Sequence, residues 1–112
     1  PRLGDELKFP AIGAPERLFH ALGGKLANPS VIGAALAACT QRMGIRAGSV
    51  VPPLHDPLRV AEDWAIVDNL SHGRVGVAFA SGWQRSDFVL RAENYRQRQE
   101  VLFTSLAQIQ TL

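Results

Sequence analysis

The sequence has almost no cysteine, no basic block and no long apolar run, and each absence excludes a class of protein. The single cysteine, Cys39, excludes a disulfide framework, and no metal-ligand spacing is present. No run approaches the ~18 apolar residues of a membrane span, and no signal-peptide pattern is found. The net charge is only +2 and is not clustered, unlike that of nucleic-acid-binding proteins. We therefore expect a cytoplasmic protein with no membrane, nucleic-acid or metal partner.

What the sequence does contain is an alternation of apolar runs and amphipathic segments. Three apolar runs are predicted to be strands: Phe9–Ala14, Ile45–Val51 and Val75–Ala80. About 30 residues separate the starts of the second and third runs, which is the size of a βαβ unit and implies a parallel sheet. Functional residues in such sheets gather where strands end, so we expect them in the loops Pro52–Asp56 and Ser81–Arg91.

Helix starts are marked by a capping residue followed by proline. Asn28-Pro29 and Asp56-Pro57 both have this form. The first helical run ends at Gly44, and the second is predicted to be capped at Gly73. The buried face of the second helix is predicted from helical spacing to comprise four residues: Val60, Trp64, Val67 and Leu70. With a last helix from about Ala92, the alternating order is typical of α/β architecture.

Three collinear blocks of sequence carry a family resemblance. They are PERLFHALGGKLANPSVIGAALAA, GSVVPPLHDPLRVAEDWAIVDNLSHGRVGVAFASGW and SDFVLRAENYRQRQEVLF. Together they resemble the bacterial-luciferase-like, flavin-dependent monooxygenases, most closely the branch embedded in non-ribosomal peptide and polyketide synthases. The resemblance implies a (β/α)8 TIM barrel, which needs roughly 250 residues. We therefore expect residues 1–112 to be a single incomplete luciferase-like monooxygenase domain, with barrel strands two to four and their helices, within a larger chain.

The same resemblance implies the reaction and its partners. The expected cofactor is reduced FMN, and the expected reaction inserts oxygen from O2 into a small-molecule or carrier-bound substrate in natural-product biosynthesis. A flavin reductase would be a further partner. Two alternatives stay open: an oxidoreductase of the same fold that uses the deazaflavin cofactor F420, and a catalytically silent flavin-binding or scaffolding domain.

The loop after the first strand carries the candidate catalytic residues. Glu16, Arg17 and His20 match the corresponding loop of the resembling family, whereas Leu18 stands where the family has histidine. His20 could act as an acid or base near neutral pH, although without the resemblance it would be interpreted as an ordinary loop histidine. Leu18 can neither donate nor accept a hydrogen bond, which favours the silent-domain alternative.

The ends of the second and third strands carry the candidate cofactor-binding residues. The resemblance implies that Gly48 and Ser49 lie beside the flavin ring and are joined by a non-proline cis peptide. It also implies that Ser81, Gly82 and Trp83 form a wall of the flavin site. Glycine permits close approach of the backbone, and an indole can cover a flat ring.

Other polar residues after these strands have weaker signals. Gln84 replaces a second family histidine, which again favours the silent domain. His55 is either near the flavin edge or simply the residue before a helix cap. Arg91, Arg96 and Arg98 alternate with glutamates and indicate a solvated helix face.

Overall fold

The computed structural model describes residues 1–17 and 28–112, and its centre is a parallel sheet of three strands in the order β1-β2-β3. The strands are β1 (Ala11–Ala14), β2 (Gly44–Val50) and β3 (Val75–Phe79). The flanking helices are α1 (Arg2–Glu6), α2 (Pro29–Cys39), α3 (Pro57–Ser71) and α4 (Arg98–Thr111). The predicted fold class, α/β with three parallel strands and flanking helices, is therefore confirmed.

The register of the sheet is regular except at the end of β2. Ala11 pairs with Gly44, and Ile45 pairs with Val75. The pairing with β3 shifts by one residue between Gly48 and Val50. Such a bulge turns the end of a strand and re-aims its side chains.

One face of the sheet is covered by helices and contains the main core. The buried residues of this core are Leu36, Ala37, Ile45, Ala47, Val50, Val60, Trp64 and Val67. Gly33 lets α2 lie close to α3, because a Cβ at this position would be 3.4 Å from the Trp64 ring. Burial of a side chain such as Val67 contributes about 1.5–3 kcal/mol.

The buried face of α3 ends at a different residue from the one predicted. Leu70 is 48% exposed, so its predicted burial is wrong. The stripe through Val60, Trp64 and Val67 continues at 100° per residue to Ser71, which is fully buried. The helix then ends with His72 and Gly73, both in the left-handed conformation, at φ 55° and 80°. The predicted stop at Gly73 is thus shared with the histidine before it.

Two other helix boundaries differ from the prediction. α2 ends at Cys39, so the buried Met43 lies outside the helix rather than in its last turn. The expected start of the last helix at Ala92 is also wrong, since only a short 3₁₀ turn forms there and α4 begins at Arg98. The side-chain amide of Asn94 donates to the carbonyl of Pro53 at 2.8 Å, which ties this turn to the segment that follows β2 instead.

At the amino-terminal edge of the sheet, Arg74 bonds mainly to backbone carbonyls. Its guanidinium donates to the carbonyls of Met43 at 2.7 Å, Thr40 at 3.0 Å and Ala37 at 3.2 Å. Its Nε donates to the carbonyl of Ser71 at 2.7 Å. The Arg74 side chain therefore satisfies carbonyls at the ends of both α2 and α3, which have no partner within their helices.

Asp5 satisfies backbone donors at the same edge. Its carboxylate accepts from the amides of Gln41, Arg42 and Met43, each at 2.8 Å. These bonds, that from Gln41 first, hold the pKa of Asp5 below its usual value. The short α1 is thereby fixed to the segment that leads into β2.

No helix formed by residues 1–17 or 28–112 covers the other face of the sheet. Its residues are small apart from one arginine: Ala11, Gly13, Gly44, Arg46, Gly48, Gly76 and Ala78. The Arg46 side chain lies across Gly44 and Gly76, where added Cβ atoms would come within 2.7 and 2.9 Å of it. Its Nη1 donates to the Arg74 carbonyl at 2.8 Å. Beyond Arg46, toward the carboxyl-terminal edge, this face is flat and open.

Within residues 1–17 and 28–112, no helix has the length and apolar character that a bilayer crossing requires. The same residues contain no group of three or more His, Cys, Asp or Glu arranged to hold a metal ion.

Candidate functional site

The candidate site lies at the carboxyl-terminal edge of the sheet, where the segments after β1, β2 and β3 meet. Glu16 is buried, and its carboxylate joins the first two of these segments. One oxygen, Oε2, accepts from the Val51 amide at 2.7 Å. The other, Oε1, forms a short contact with Nε2 of His55. Both oxygens of this predicted catalytic residue are therefore engaged by the protein, and Glu16 would influence a ligand only through His55.

His55 is paired with Glu16 by a side-chain contact. The position of His55 in the sequence does not predict this pair. An ionised carboxylate only accepts hydrogen bonds, so Nε2 of His55 is the donor in this contact. The ring also lines a groove of about 290 Å³ together with Arg91 and Gln97. The structural role expected for His55 and a role in proton transfer are both compatible with this position.

Arg17 joins the segments that follow β1 and β3. Its Nη1 donates to Oδ2 of Asp87 at 3.0 Å and to Oε1 of Gln84 at 3.3 Å. Its guanidinium carbon lies 4.9 Å from the centroid of the Trp83 ring. The indole is nevertheless 70% exposed. Two residues that the sequence assigned to separate roles, catalysis and cofactor binding, are thus in direct contact.

The peptide between Gly48 and Ser49 is cis, as expected from the resemblance. A Cβ added at Gly48 would meet no atom of residues 1–17 and 28–112 within 4 Å, so these residues leave the space in front of this glycine open. Ala78, its partner on β3, is exposed on the sheet. Together they form a flat surface without projecting side chains, and we call Gly48 and Ala78 the strand-end floor.

Glycine at position 82 is required by packing as well as by the backbone. Gly82 has a φ of 78°, and a Cβ there would lie 2.9 Å from Cγ1 of Val51 and 3.1 Å from the Phe88 ring. The neighbouring Ser81 hydroxyl is within 3.4 Å of the Gly82 carbonyl. Packing and backbone conformation therefore explain why position 82 is glycine, independently of any ligand.

Two residues of this region could not be recognised from the sequence. Arg98 is half-buried, and its Nε donates to the Gly82 carbonyl at 3.1 Å while its guanidinium stacks on Tyr95 at 4.9 Å. The interpretation of Arg98 as part of a solvated helix face is therefore wrong. Asp87, which is buried, holds Arg17. No periodicity or motif marks either residue, because their partners are distant in sequence.

Two positions on which the sequence prediction depended, Leu18 and His20, lie outside the described residues. The proposed role of His20 as an acid or base therefore stays a prediction.

The residues at this edge suit a flat, extended ligand. The strand-end floor offers a surface with no side chain larger than a methyl group, and the exposed face of Trp83 offers a stacking surface. An isoalloxazine ring has this shape, so the described residues fit a flavin.

Comparison with known proteins agrees with this geometry. The sequence profile described as luciferase-like monooxygenase matches residues 2–103. This chain belongs to that family. The alkanal monooxygenase alpha chain of Photorhabdus laumondii is 30% identical to it over 87 residues, which are 78% of this chain and 24% of the relative.

Two solved structures superpose on nearly the whole family segment. The crystal structure of the monooxygenase RslO1 from Streptomyces bottropensis has a TM-score of 0.83 and 31% sequence identity, and the match covers 96% of this chain and 32% of that one. The oxygenating constituent of a diketocamphane monooxygenase from Pseudomonas putida, in complex with FMN, has a TM-score of 0.85 at 15% identity. The second likeness shows the fold alone. The chain thus spans about a third of the length of these solved relatives.

Proposed function

We propose that residues 1–112 form the flavin-facing third of a reduced-FMN-dependent monooxygenase. The observations that carry this proposal are the strand-end floor and the exposed Trp83 ring, both at the carboxyl-terminal edge of the sheet, in a chain of the luciferase-like monooxygenase family. The FMN bound to the Pseudomonas relative of the same fold supports the choice of flavin. The chemistry supplied by bound reduced FMN is the activation of O2 for insertion into an organic substrate.

The residues of this chain would orient the ring and exclude water from it. Gly48 and Ser49 would lie against the ring, and Trp83 would cover one side of it. Ser81 can offer a hydroxyl to a polar ring edge or to phosphate. His55, held by Glu16, and His20 are the candidates for holding or moving a proton at the substrate.

We propose substrate oxidation only for the complete barrel, which needs further residues in addition to these 112. In the sheet of three parallel strands, the outer sides of β1 and β3 are unpaired among the described residues. The face that would line the interior of a complete barrel is also open. We therefore expect the isolated chain to bind FMN weakly or not at all. The blocks that resemble the synthase-embedded branch support a carrier-bound or small-molecule substrate in natural-product biosynthesis.

Two other functions remain as competitors of this proposal. An F420-dependent oxidoreductase would use the same floor for a deazaflavin ring. A catalytically silent flavin-binding domain is favoured by Leu18. The replacement of a family histidine by Gln84 supports this alternative less than the sequence alone suggests. Its amide oxygen accepts a hydrogen bond from Arg17, so glutamine has a structural task there.

The test compares two added leucines on the open sheet face, in the polypeptide that contains these residues. Gly48→Leu fills the strand-end floor and should abolish FMN binding, measured by flavin fluorescence quenching. Ala11→Leu adds the same bulk at the opposite end of the face and should leave the affinity for FMN unchanged. Equal FMN affinity in both variants would refute the proposed site.

Coupled assays separate the competitors. O2 consumption with a flavin reductase, NAD(P)H and candidate substrates should be stimulated by substrate. Binding of FMN without stimulated turnover would favour the silent domain, and turnover with reduced F420 but not FMN would favour the deazaflavin alternative.

A further inference from the structure

Among the described residues, Trp83 is the most exposed aromatic ring at the carboxyl-terminal edge, yet it is not free on both faces. The guanidinium of Arg17 covers one face at 4.9 Å from the ring centroid. A planar guanidinium stacked on an indole is a favourable cation–π arrangement. A flat ligand can therefore stack only on the opposite face of the ring.

Arg17 is itself held from behind. Asp87 and Gln84 accept from its Nη1 at 3.0 and 3.3 Å. Asp87 is 8% exposed, and the Arg17 side chain is about a fifth exposed at 22%. Hence the guanidinium has a fixed place rather than the freedom of a surface side chain. It can transmit that order to the indole because its central carbon lies over the ring, 4.9 Å from the centroid.

We propose that Arg17 is a positioning residue that clamps Trp83 by one face, so that the other face is presented to a planar ring. The identity of this ring as isoalloxazine rests on the proposed function. The clamp assigns Arg17 no contact with the reacting atoms. It also gives Gln84 a task that a proton-transferring histidine would not need, namely to orient the guanidinium.

The first experiment measures the clamp in the 112-residue chain without any flavin. Acrylamide quenching of tryptophan fluorescence should report Trp83, because Trp64 is only 8% exposed, and a Trp83→Phe variant supplies the Trp64 background. Arg17→Met should raise the quenching constant of Trp83 about two-fold, since the second ring face opens. Arg17→Lys, which keeps the charge but not the planar stack, should restore only part of the protection.

The control is an arginine that does not touch the indole. Arg96→Met removes an exposed side chain and should leave the quenching constant unchanged. Far-UV circular dichroism identifies the conditions in which each variant is folded. Asp87→Asn keeps Arg17 but weakens its support, so it should raise quenching by a smaller factor and provides a second test if Arg17→Met does not fold. Unchanged quenching in the folded Arg17 and Asp87 variants would overturn the clamp.

The second experiment asks whether Arg17 acts through Trp83 on ligand binding. In the polypeptide that contains these residues, Arg17→Met and Trp83→Phe should each raise the Kd for FMN about two- to ten-fold. The double variant should be no worse than Trp83→Phe alone, because one variant removes what the other acts upon. Additive losses would overturn the clamp.

The two experiments separate this inference from the proposed function. If quenching behaves as expected but neither the unmodified protein nor any variant binds FMN, the clamp stands and the flavin function fails. If FMN binds and neither quenching nor the cycle depends on Arg17, the flavin function stands and the clamp fails.

Discussion

The two edges of the sheet use buried charges in different ways. At the amino-terminal edge, Asp5 and Arg74 bond mainly to backbone groups that end helices and begin strands. At the carboxyl-terminal edge, Glu16 and Arg98 also bond to backbone groups, but Arg17 bonds to side chains and lies over an exposed ring. Backbone partners fix the course of the chain, whereas side-chain partners fix the orientation of other side chains. The contacts at the first edge therefore maintain the fold, whereas the second edge adds a side-chain cluster that we propose presents a ring to a ligand.

The largest expected effect comes from comparing Arg74→Met with Arg17→Met. Arg74→Met leaves several carbonyls at helix ends without their hydrogen-bond donor. It should therefore lower the free energy of unfolding by about 3 kcal/mol or more. Arg17→Met removes a partly exposed pair and should cost about 1 kcal/mol. Urea denaturation followed by circular dichroism measures both. Similar losses in the two variants would break the contrast between the edges.

The next prediction compares the loss of stability when a methyl group is added at a crowded glycine, Gly82, and at an uncrowded one, Gly13. Gly82→Ala should cost about 2–3 kcal/mol, because φ is positive and Val51 lies 2.9 Å from the new methyl group. Gly13→Ala is the control, since its nearest neighbour would be at 3.8 Å, and it should stay within about 0.5 kcal/mol. Thermal unfolding would show whether the functional edge is as tightly packed at its backbone as we infer.

A double-mutant cycle tests the Glu16–His55 pair. Glu16→Gln and His55→Ala should each destabilise the chain, with a coupling free energy of about 1 kcal/mol if the two side chains interact. Glu93→Gln is the matched control, because its pair with Arg91 is long at 3.8 Å and exposed. A coupling energy near zero would mean that Glu16 acts through the Val51 amide alone.

The last prediction concerns the pH dependence of stability that Asp5 contributes, which we expect to be confined to acidic pH. Its pKa in the folded chain is lowered from 3.8, so its contribution to stability is present above that value and is lost as pH falls through the lower, folded pKa. Asp5→Asn removes this titration. The difference in urea midpoint between the two proteins should shrink as pH falls from about 7 toward about 2. A pH-independent difference would contradict the hydrogen-bonded carboxylate.

The sequence predicted those features that depend on local pattern. The parallel sheet followed from strand spacing, the starts of α2 and α3 followed from Asn28-Pro29 and Asp56-Pro57, and the cis peptide followed from family resemblance. The start of α4 was missed because Asn94 bonds to a carbonyl far away in sequence. Such long-range bonds have no local signal.

The candidate site divides in the same way. Glu16, Arg17 and Trp83 were singled out because they follow strands, and the structure brings Arg17 and Trp83 together. Their partners were not predictable, since Asp87 is 70 residues from Arg17 and His55 is 39 residues from Glu16. The position of a residue relative to the end of a strand predicts at which edge of the sheet it lies. Only three-dimensional packing determines which side chain it contacts.

Arg46 and the glycines beneath it have an evolutionary consequence. A methyl group at Gly44 or Gly76 would displace the Arg46 side chain from its present position, so these three positions are coupled. A descendant that gains a side chain at either glycine must move or shorten the side chain at 46. An alignment of homologues should therefore show covariation, with a long residue at 46 accompanied by glycine at both neighbouring positions.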